Sequence, residues 1–188
     1  MDSEMIEKGV SLILQGIGED ISREGLIGTP KRVAEMYKEI FSGIGADPAK
    51  ELEPLFDEGH DEMVLIKDIP FYSVCEHHLV PFIGKAHIAY IPNKTGKIIG
   101  LSKLTRVLDI VAKRLQVQER LTSIVADTIV KKISPRGTLV IVEAEHLCMS
   151  MRGAKKPNTV TVTSAVRGLF RENAASRAEA MALIKSHK

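Results

Sequence analysis

The chain has 188 residues, 44% of them hydrophobic and 27% charged, enough for one substantial core and no reason to invoke several globular domains. Twenty-six Lys and Arg stand against 24 Asp and Glu, a formal charge of +2, so nothing favours nucleic acid or a membrane surface in general and any anion site must be local. No apolar run approaches the roughly 20 residues that span a bilayer, and the acidic start Met1-Asp2-Ser3-Glu4-Met5 lacks the basic-then-apolar order of a signal peptide. These features indicate a cytoplasmic protein, where the two cysteines, Cys75 and Cys148, read as thiols or ligands rather than a disulfide.

Ser3 can cap a first helix carrying Ile6, Val10, Ile13 and Ile17 on one stripe, with Gly18 ending it. Thr29-Pro30-Lys31-Arg32 reads as an N-cap, an N1 proline and a basic first turn, followed by Val33, Met36, Tyr37 and Ile40 up to Gly43. Cations there oppose the helix dipole, so Lys31 and Arg32 either face an anion or are solvated surface charge. Residues 44–62 are acidic and loop-like, which sets an N-terminal helical region of 1–62 before a second region of 63–188.

From Met63 the pattern turns to strands. Met63–Tyr72 and Gly84–Ile91 are extended runs joined by Ser73-Val74-Cys75-Glu76-His77-His78-Leu79-Val80-Pro81-Phe82. Ser102 then caps a helix with Leu104, Val107, Leu108, Val111 and Leu115. A second helix starts near Gln118 and carries Leu121, Ile124, Val125, Ile129 and Ile133, until Ser134-Pro135-Arg136-Gly137 stops it. Thr138–Met151 and Thr159–Val166 read as two more strands, and Ser176-Arg177-Ala178-Glu179 as a capping box opening a final helix. The order strand, strand, helix, helix, strand, strand predicts an α+β fold, an antiparallel sheet with helices on one face. In a monomer such a sheet leaves a second face and two edges uncovered, so a homo-oligomer is expected.

Chemistry concentrates in two places. Cys75 and His78 lie three apart, close enough to meet one ion from a single turn, and Cys148 is the one other cysteine. Three protein ligands leave a tetrahedral position open, the mark of a catalytic zinc rather than a structural one; a buried cysteine packing as a small hydrophobe is the alternative for Cys148. On an extended strand His146, Cys148, Ser150 and Arg152 would share one face. His77 and His146 are proton-transfer candidates or satisfied structural histidines, while His60, His87 and His187 read as surface or sheet residues. Ser102, Lys103 and Arg106 put a hydroxyl and two cations in a helix's first turn, suited to phosphate or simply solvated. Glu119 could accept the paired donors of a guanine edge, or be an ordinary helix-start glutamate.

Four ordered motifs, the Ser73 segment, Ile-Gly-Leu-Ser-Lys-Leu-Thr-Arg from Ile99, Gln-Val-Gln-Glu-Arg-Leu-Thr from Gln116 and Glu-His-Leu-Cys-Met-Ser-Met-Arg-Gly from Glu145, together closely resemble GTP cyclohydrolase I. The resemblance runs from the Gly-Thr-Pro-Lys-Arg segment near Gly28 to the chain's end. It implies the tunnelling fold, closed into a barrel by oligomerisation, and the conversion of GTP and water to formate and 7,8-dihydroneopterin triphosphate, the entry to folate or other pterin synthesis. By that resemblance Cys75, His78 and Cys148 bind Zn2+, whose water attacks C8 of the guanine ring. His77 and His146 transfer protons, and Ser102 serves the later ribose rearrangement. Gln118 and Glu119 recognise guanine, and Lys103, Arg106, Arg152 and Arg32 contact the triphosphate. The family shares each site between subunits of a decamer made of two pentamers. Two rival readings stay open: a non-catalytic zinc-stabilised assembly protein, which needs a fourth ligand, and another tunnelling-fold pterin or purine enzyme, which needs a separate nucleophile or a different ligand set.

Overall fold

A computed structural model describes residues 1–186; His187 lies outside the described residues. The chain forms two compact units, Met1–Ser42 and Gly43–Lys188. The first contains α1 (Ser3–Gly16), α2 (Glu24–Ile27) and α3 (Thr29–Ile40), with α1 against α3. Asp2, not Ser3, caps α1: its carboxylate accepts from the Met5 N–H at 3.0 Å. Pro30 sits in the first turn of α3, where its missing N–H costs nothing.

The second unit begins with the segment expected to belong to the helical region. There Leu52 is fully buried in the main core, and β1 (Leu55–Asp57) pairs with β4 (Lys97–Ile99). The main sheet is built from β2 (Val64–Cys75), β3 (Pro81–Ile91), β5 (Leu115–Gln116), β6 (Gly137–His146) and β7 (Val160–Gly168), in the order β5-β2-β3-β6-β7. All neighbours are antiparallel except β5, which runs parallel to β2. Helices α4 (Leu101–Ala112) and α5 (Gln118–Ile133) fall between the two hairpins, giving the expected α+β order.

Alternation places Phe82, Ala86, Ile88 and Tyr90 of β3 and Val140, Val142 and Ala144 of β6 on one face. They form a core with Leu104, Val107, Leu108 and Val111 of α4 and Leu121, Val125 and Ile129 of α5. A one-residue slip would carry the whole set to the other face, so burial fixes the register. At Gly84 the strands β3 and β6 approach so closely that a Cβ would lie 1.9 Å from the Glu143 carbonyl oxygen, which only glycine avoids.

The second face is partly covered. Short α7 (Leu169–Glu172) and α8 (Ala174–Lys185) close a smaller core of Ala89, Ile91, Leu139, Ile141, Phe170 and Ala180. At the other end of that face Tyr72, Ile83, Val160 and Val162 remain exposed. No helix among the described residues is long and apolar enough to cross a membrane.

Four local expectations shift. Helix α4 ends at Ala112, and Leu115 instead pairs with Val74 of β2. Ser102 lies inside α4 rather than capping it; Gly100 holds the cap position. Asn173, not Ser176, caps α8, accepting from the Ser176 N–H at 3.0 Å. Strand β6 stops at His146, and Leu147–Ser150 is a helical turn, α6, so strand alternation does not govern Cys148, Ser150 and Arg152. Two hydrogen bonds hold that turn: Ser150 Oγ donates to Glu145 Oε1 at 2.6 Å, and the Met151 N–H to the Leu147 carbonyl at 2.9 Å.

His87 is a fully buried sheet residue. The Asp68 N–H donates to its Nδ1 at 3.2 Å, so the neutral ring carries its proton on Nε2, buried without a partner and 3.7 Å from Glu143 Oε1. Burial holds its pKa below the ordinary value, against the pull of Glu143 and Asp68. The unfolded chain protonates this histidine near pH 6.5 while the folded one resists, so stability falls as pH drops below about 6.5, by up to ~1.4 kcal/mol per pH unit. His87→Gln is expected to flatten the urea midpoint between about pH 7 and pH 5 by one proton's share of the slope; identical slopes in both proteins would show that His87 already titrates normally.

Candidate active site

Strands β2 and β3 extend further into the central motif than their hydrophobic patterns indicate, leaving Glu76–Val80 as a tight connection. Its base is closed by the Cys75 N–H donating to the Val80 carbonyl and the Leu79 N–H to the Cys75 carbonyl, both at 2.9 Å. Cys75 is therefore held by the sheet, while His77 and His78 stand on the exposed loop. On the far side of β3, β6 delivers His146 opposite Phe82, and the helical turn α6 swings Cys148 towards Cys75. The ligand atoms of Cys75, His78 and Cys148 all lie within 4.8 Å of one another, and among the described residues this group has no fourth member.

The sulfurs of Cys75 and Cys148 are 3.9 Å apart. Two thiolates at about 2.3 Å from a tetrahedral zinc would be separated by about 3.8 Å. Burial and the neighbouring Cys75 sulfur push the Cys148 thiol above its ordinary pKa. Arg152 donates to His78 Nε2 at 2.8 Å; a guanidinium only donates, so His78 presents a lone pair at that nitrogen.

His146 is fixed on two sides. Its ring stacks on Phe82, with centroids 4.6 Å apart and planes 4° from parallel, and its Nε2 lies 2.8 Å from Gln118 Oε1. Gln118 is buried, and its Nε2 faces the Val142 carbonyl at 2.9 Å, the Thr161 carbonyl at 3.0 Å and Thr163 Oγ1 at 3.1 Å. Those acceptors orient the amide, so Oε1 accepts and His146 Nε2 must donate, leaving Nδ1 as the ring's acceptor. Desolvation lowers the His146 pKa despite the pull of Glu119, which keeps the ring neutral at physiological pH.

A cavity of about 230 Å³ opens over these groups, lined by Cys75, His77, Gln118, Glu119, His146 and Cys148 among others. A larger one, about 470 Å³, lies between the Pro48–Glu51 turn and α5. Its Arg114, Asp127 and Lys132 are engaged by the Ala46 carbonyl, Arg167 and Glu53, and it holds no thiol or imidazole. The smaller cavity is the one that gathers thiols and imidazoles.

A family model for GTP cyclohydrolase I matches residues 6–185. The chain belongs to this family. It is 64% identical over 184 residues to the "GTP cyclohydrolase 1" of Pelotomaculum thermopropionicum, covering 98% of this chain and 97% of that one. The proteins of the same name from Clostridioides difficile and Bacillus subtilis are 63% and 58% identical over 185 residues, covering 98% of this chain and 97% of each.

The residues that the resemblance implies for a GTP cyclohydrolase I site fall into two groups. Cys75, His77, His78, Gln118, Glu119, His146, Cys148 and Arg152 converge around the cavity or the three-donor group on its wall. Ser102, Lys103 and Arg106 do not. They occupy the first turns of α4, whose opposite end, at Ala112, accepts a hydrogen bond from Ser73 beside the metal loop at 2.7 Å. Ten residues of helix put Ser102 about 15 Å from that end. Arg106 lies 3.7 Å from Glu51. Arg32 belongs to the first unit, where it donates to the Gly25 carbonyl and to Thr29 Oγ1, each at 3.1 Å. Phe82, Thr161 and Thr163 are further supports, Phe82 stacking on His146 and the two threonines accepting from Gln118. The Thr/Val alternation of β7 was the available signal, since it sets Thr161 and Thr163 on the helix-facing side.

Proposed function

We propose that this chain converts GTP and water to formate and 7,8-dihydroneopterin triphosphate, the first step of folate or pterin synthesis, using Zn2+ held by Cys75, His78 and Cys148. The observation that carries the reading is a three-donor group with zinc-compatible sulfur spacing on the wall of a cavity that also presents two histidines and a carboxylate. Two thiolates and an imidazole suit zinc by ligand softness, and three protein donors leave a place for solvent. When bound, zinc supplies Lewis-acid activation of water at neutral pH.

The chain's own groups do the rest. The exposed Glu119 carboxylate on the cavity wall accepts the ring N–H and exocyclic amine of guanine and so orients the purine. Gln118, its side chain engaged inside the protein, serves by holding His146. His146 stays neutral with an acceptor at Nδ1, fitted to take a proton as the ring opens. His77, at the cavity mouth with Nδ1 3.8 Å from Cys75 Sγ, is the second proton carrier for loss of formate. Arg152 contacts the triphosphate beside the metal group.

Ser102, Lys103, Arg106 and Arg32 serve the ribose and triphosphate from another copy of the chain. Lys103 and Arg106 cannot follow their own helix to the cavity, and the exposed Tyr72, Ile83, Val160 and Val162 on the open sheet face are the apolar surface that association would bury. The assembly we propose is the family's barrel-forming homodecamer of two pentamers. The cytoplasm, which keeps Cys75 and Cys148 reduced for a metal, is its compartment. Purified oligomer loaded with zinc is expected to release one formate per GTP and, after oxidation, to yield a fluorescent pterin; metal-loaded oligomer that produces neither would refute the assignment. The assembly-protein alternative needs a fourth ligand, and among the described residues the group has three members.

A further inference from the structure

We propose that Arg120 is a positioning residue that ties the metal loop to the nucleobase wall, so that one guanidinium governs both zinc affinity and GTP binding. The inference rests on the zinc and GTP reading above.

Arg120 lies in the first turn of α5, directly after Gln118 and Glu119. One of its terminal nitrogens pairs with the Glu76 carboxylate and also donates to the Leu115 carbonyl at 3.0 Å. Its Nε donates to Gln116 Oε1 at 3.0 Å. Gln116 is itself buried, with its amide donating to the Val111 carbonyl at 2.8 Å and its own carbonyl accepting from the Glu76 N–H at 3.0 Å. A single side chain thus joins the residue between Cys75 and His77 to the α4–α5 connection.

The loop needs such a tie. Glu76, His77, His78 and Leu79 are all exposed, and Leu79 adopts a φ of 55°, costly for a γ-branched residue unless its surroundings hold it. Among the described residues the side-chain polar contacts of this loop are His77 with Cys75, His78 with Arg152 and Glu76 with Arg120. Arg152 lies on an exposed segment, so the Glu76–Arg120 pair alone anchors a loop side chain to a core helix. A lysine there would keep the charge but lose the planar fork that reaches Glu76, Leu115 and Gln116 together. A half-exposed ion pair adds little to global stability, so positioning is separable from folding.

The test compares wild type, Arg120→Ala, Arg120→Lys and Glu76→Gln as intact oligomers. Zinc affinity is read by competition with a chromophoric chelator, unfolding midpoints on the metal-free proteins, and KM and kcat for GTP at saturating zinc. Arg120→Ala and Arg120→Lys are both expected to weaken zinc by about 10- to 100-fold and to raise KM more than they lower kcat, with metal-free midpoints close to wild type. Glu76→Gln is expected to weaken zinc as well. Zinc affinity and KM unchanged in Arg120→Ala, or both restored by lysine, would overturn the proposal. If Arg120→Ala does not fold, unchanged zinc affinity in Glu76→Gln overturns it on its own. A wild-type protein that fails to bind zinc removes the reading beneath it, a result distinct from wild type and variants binding alike.

Discussion

His146→Ala is expected to lower kcat for GTP by about 10²- to 10⁴-fold, the range for loss of a positioned general acid or base, while zinc stoichiometry stays at the wild-type value. The ring is held by Phe82 on its face and Gln118 at Nε2, and desolvation keeps it neutral. Its position at the end of β6 sets it two residues from Cys148 but outside the three-donor group. A purely structural histidine would behave otherwise. Deleting it would strand the Gln118 oxygen at a cost of about 1–3 kcal/mol, lowering the unfolding midpoint yet leaving kcat per folded site intact. Single-turnover formate release, measured beside zinc content and the unfolding midpoint, separates these outcomes. Loss of zinc from His146→Ala would mean that a ligand has been taken for a proton carrier.

The parts of this site legible in the sequence were those that local spacing dictates. Cys75 and His78 are three residues apart and stay close whatever the rest of the chain does, and the apolar stripes of α4 and α5 and the alternation of β3 and β6 need only helix and strand geometry. What stayed hidden was set by contacts between distant segments. Leu147-Cys148-Met149-Ser150 alternates apolar and polar like a strand, and its turn into α6 depends on Glu145 capturing both Ser150 Oγ and, at 3.0 Å, the Asn158 N–H. Gln118 announces an amide, but only the fold brings Val142, Thr161 and Thr163 around it and sets its oxygen against His146. The helix caps failed by a different route. Asp2 and Ser3 are comparably good caps one residue apart, and sequence cannot choose between them.

Lys103→Ala and Cys148→Ala are each expected to be nearly inactive as pure oligomers and to regain activity when assembled together. Lys103 lies in the first turn of α4 and the Cys75 loop by its far end, so roughly 15 Å of helix separates them within a chain; the shared site proposed above takes the lysine from a different copy. In a random one-to-one assembly of the two variants, a site that draws its metal group from one copy and its lysine from the next is intact in about one quarter of cases, as a heterologous interface requires. Zinc content supplies the internal check. Two remaining ligands do not hold the ion, so Cys148→Ala subunits carry none, Lys103→Ala subunits carry a full share, and the mixture holds about half while its activity exceeds that of either parent. A mixture that stays as inactive as its components, at half zinc occupancy, would place the whole site within one chain and require the amino-terminal end of α4 to reach the cavity by a rearrangement of its own.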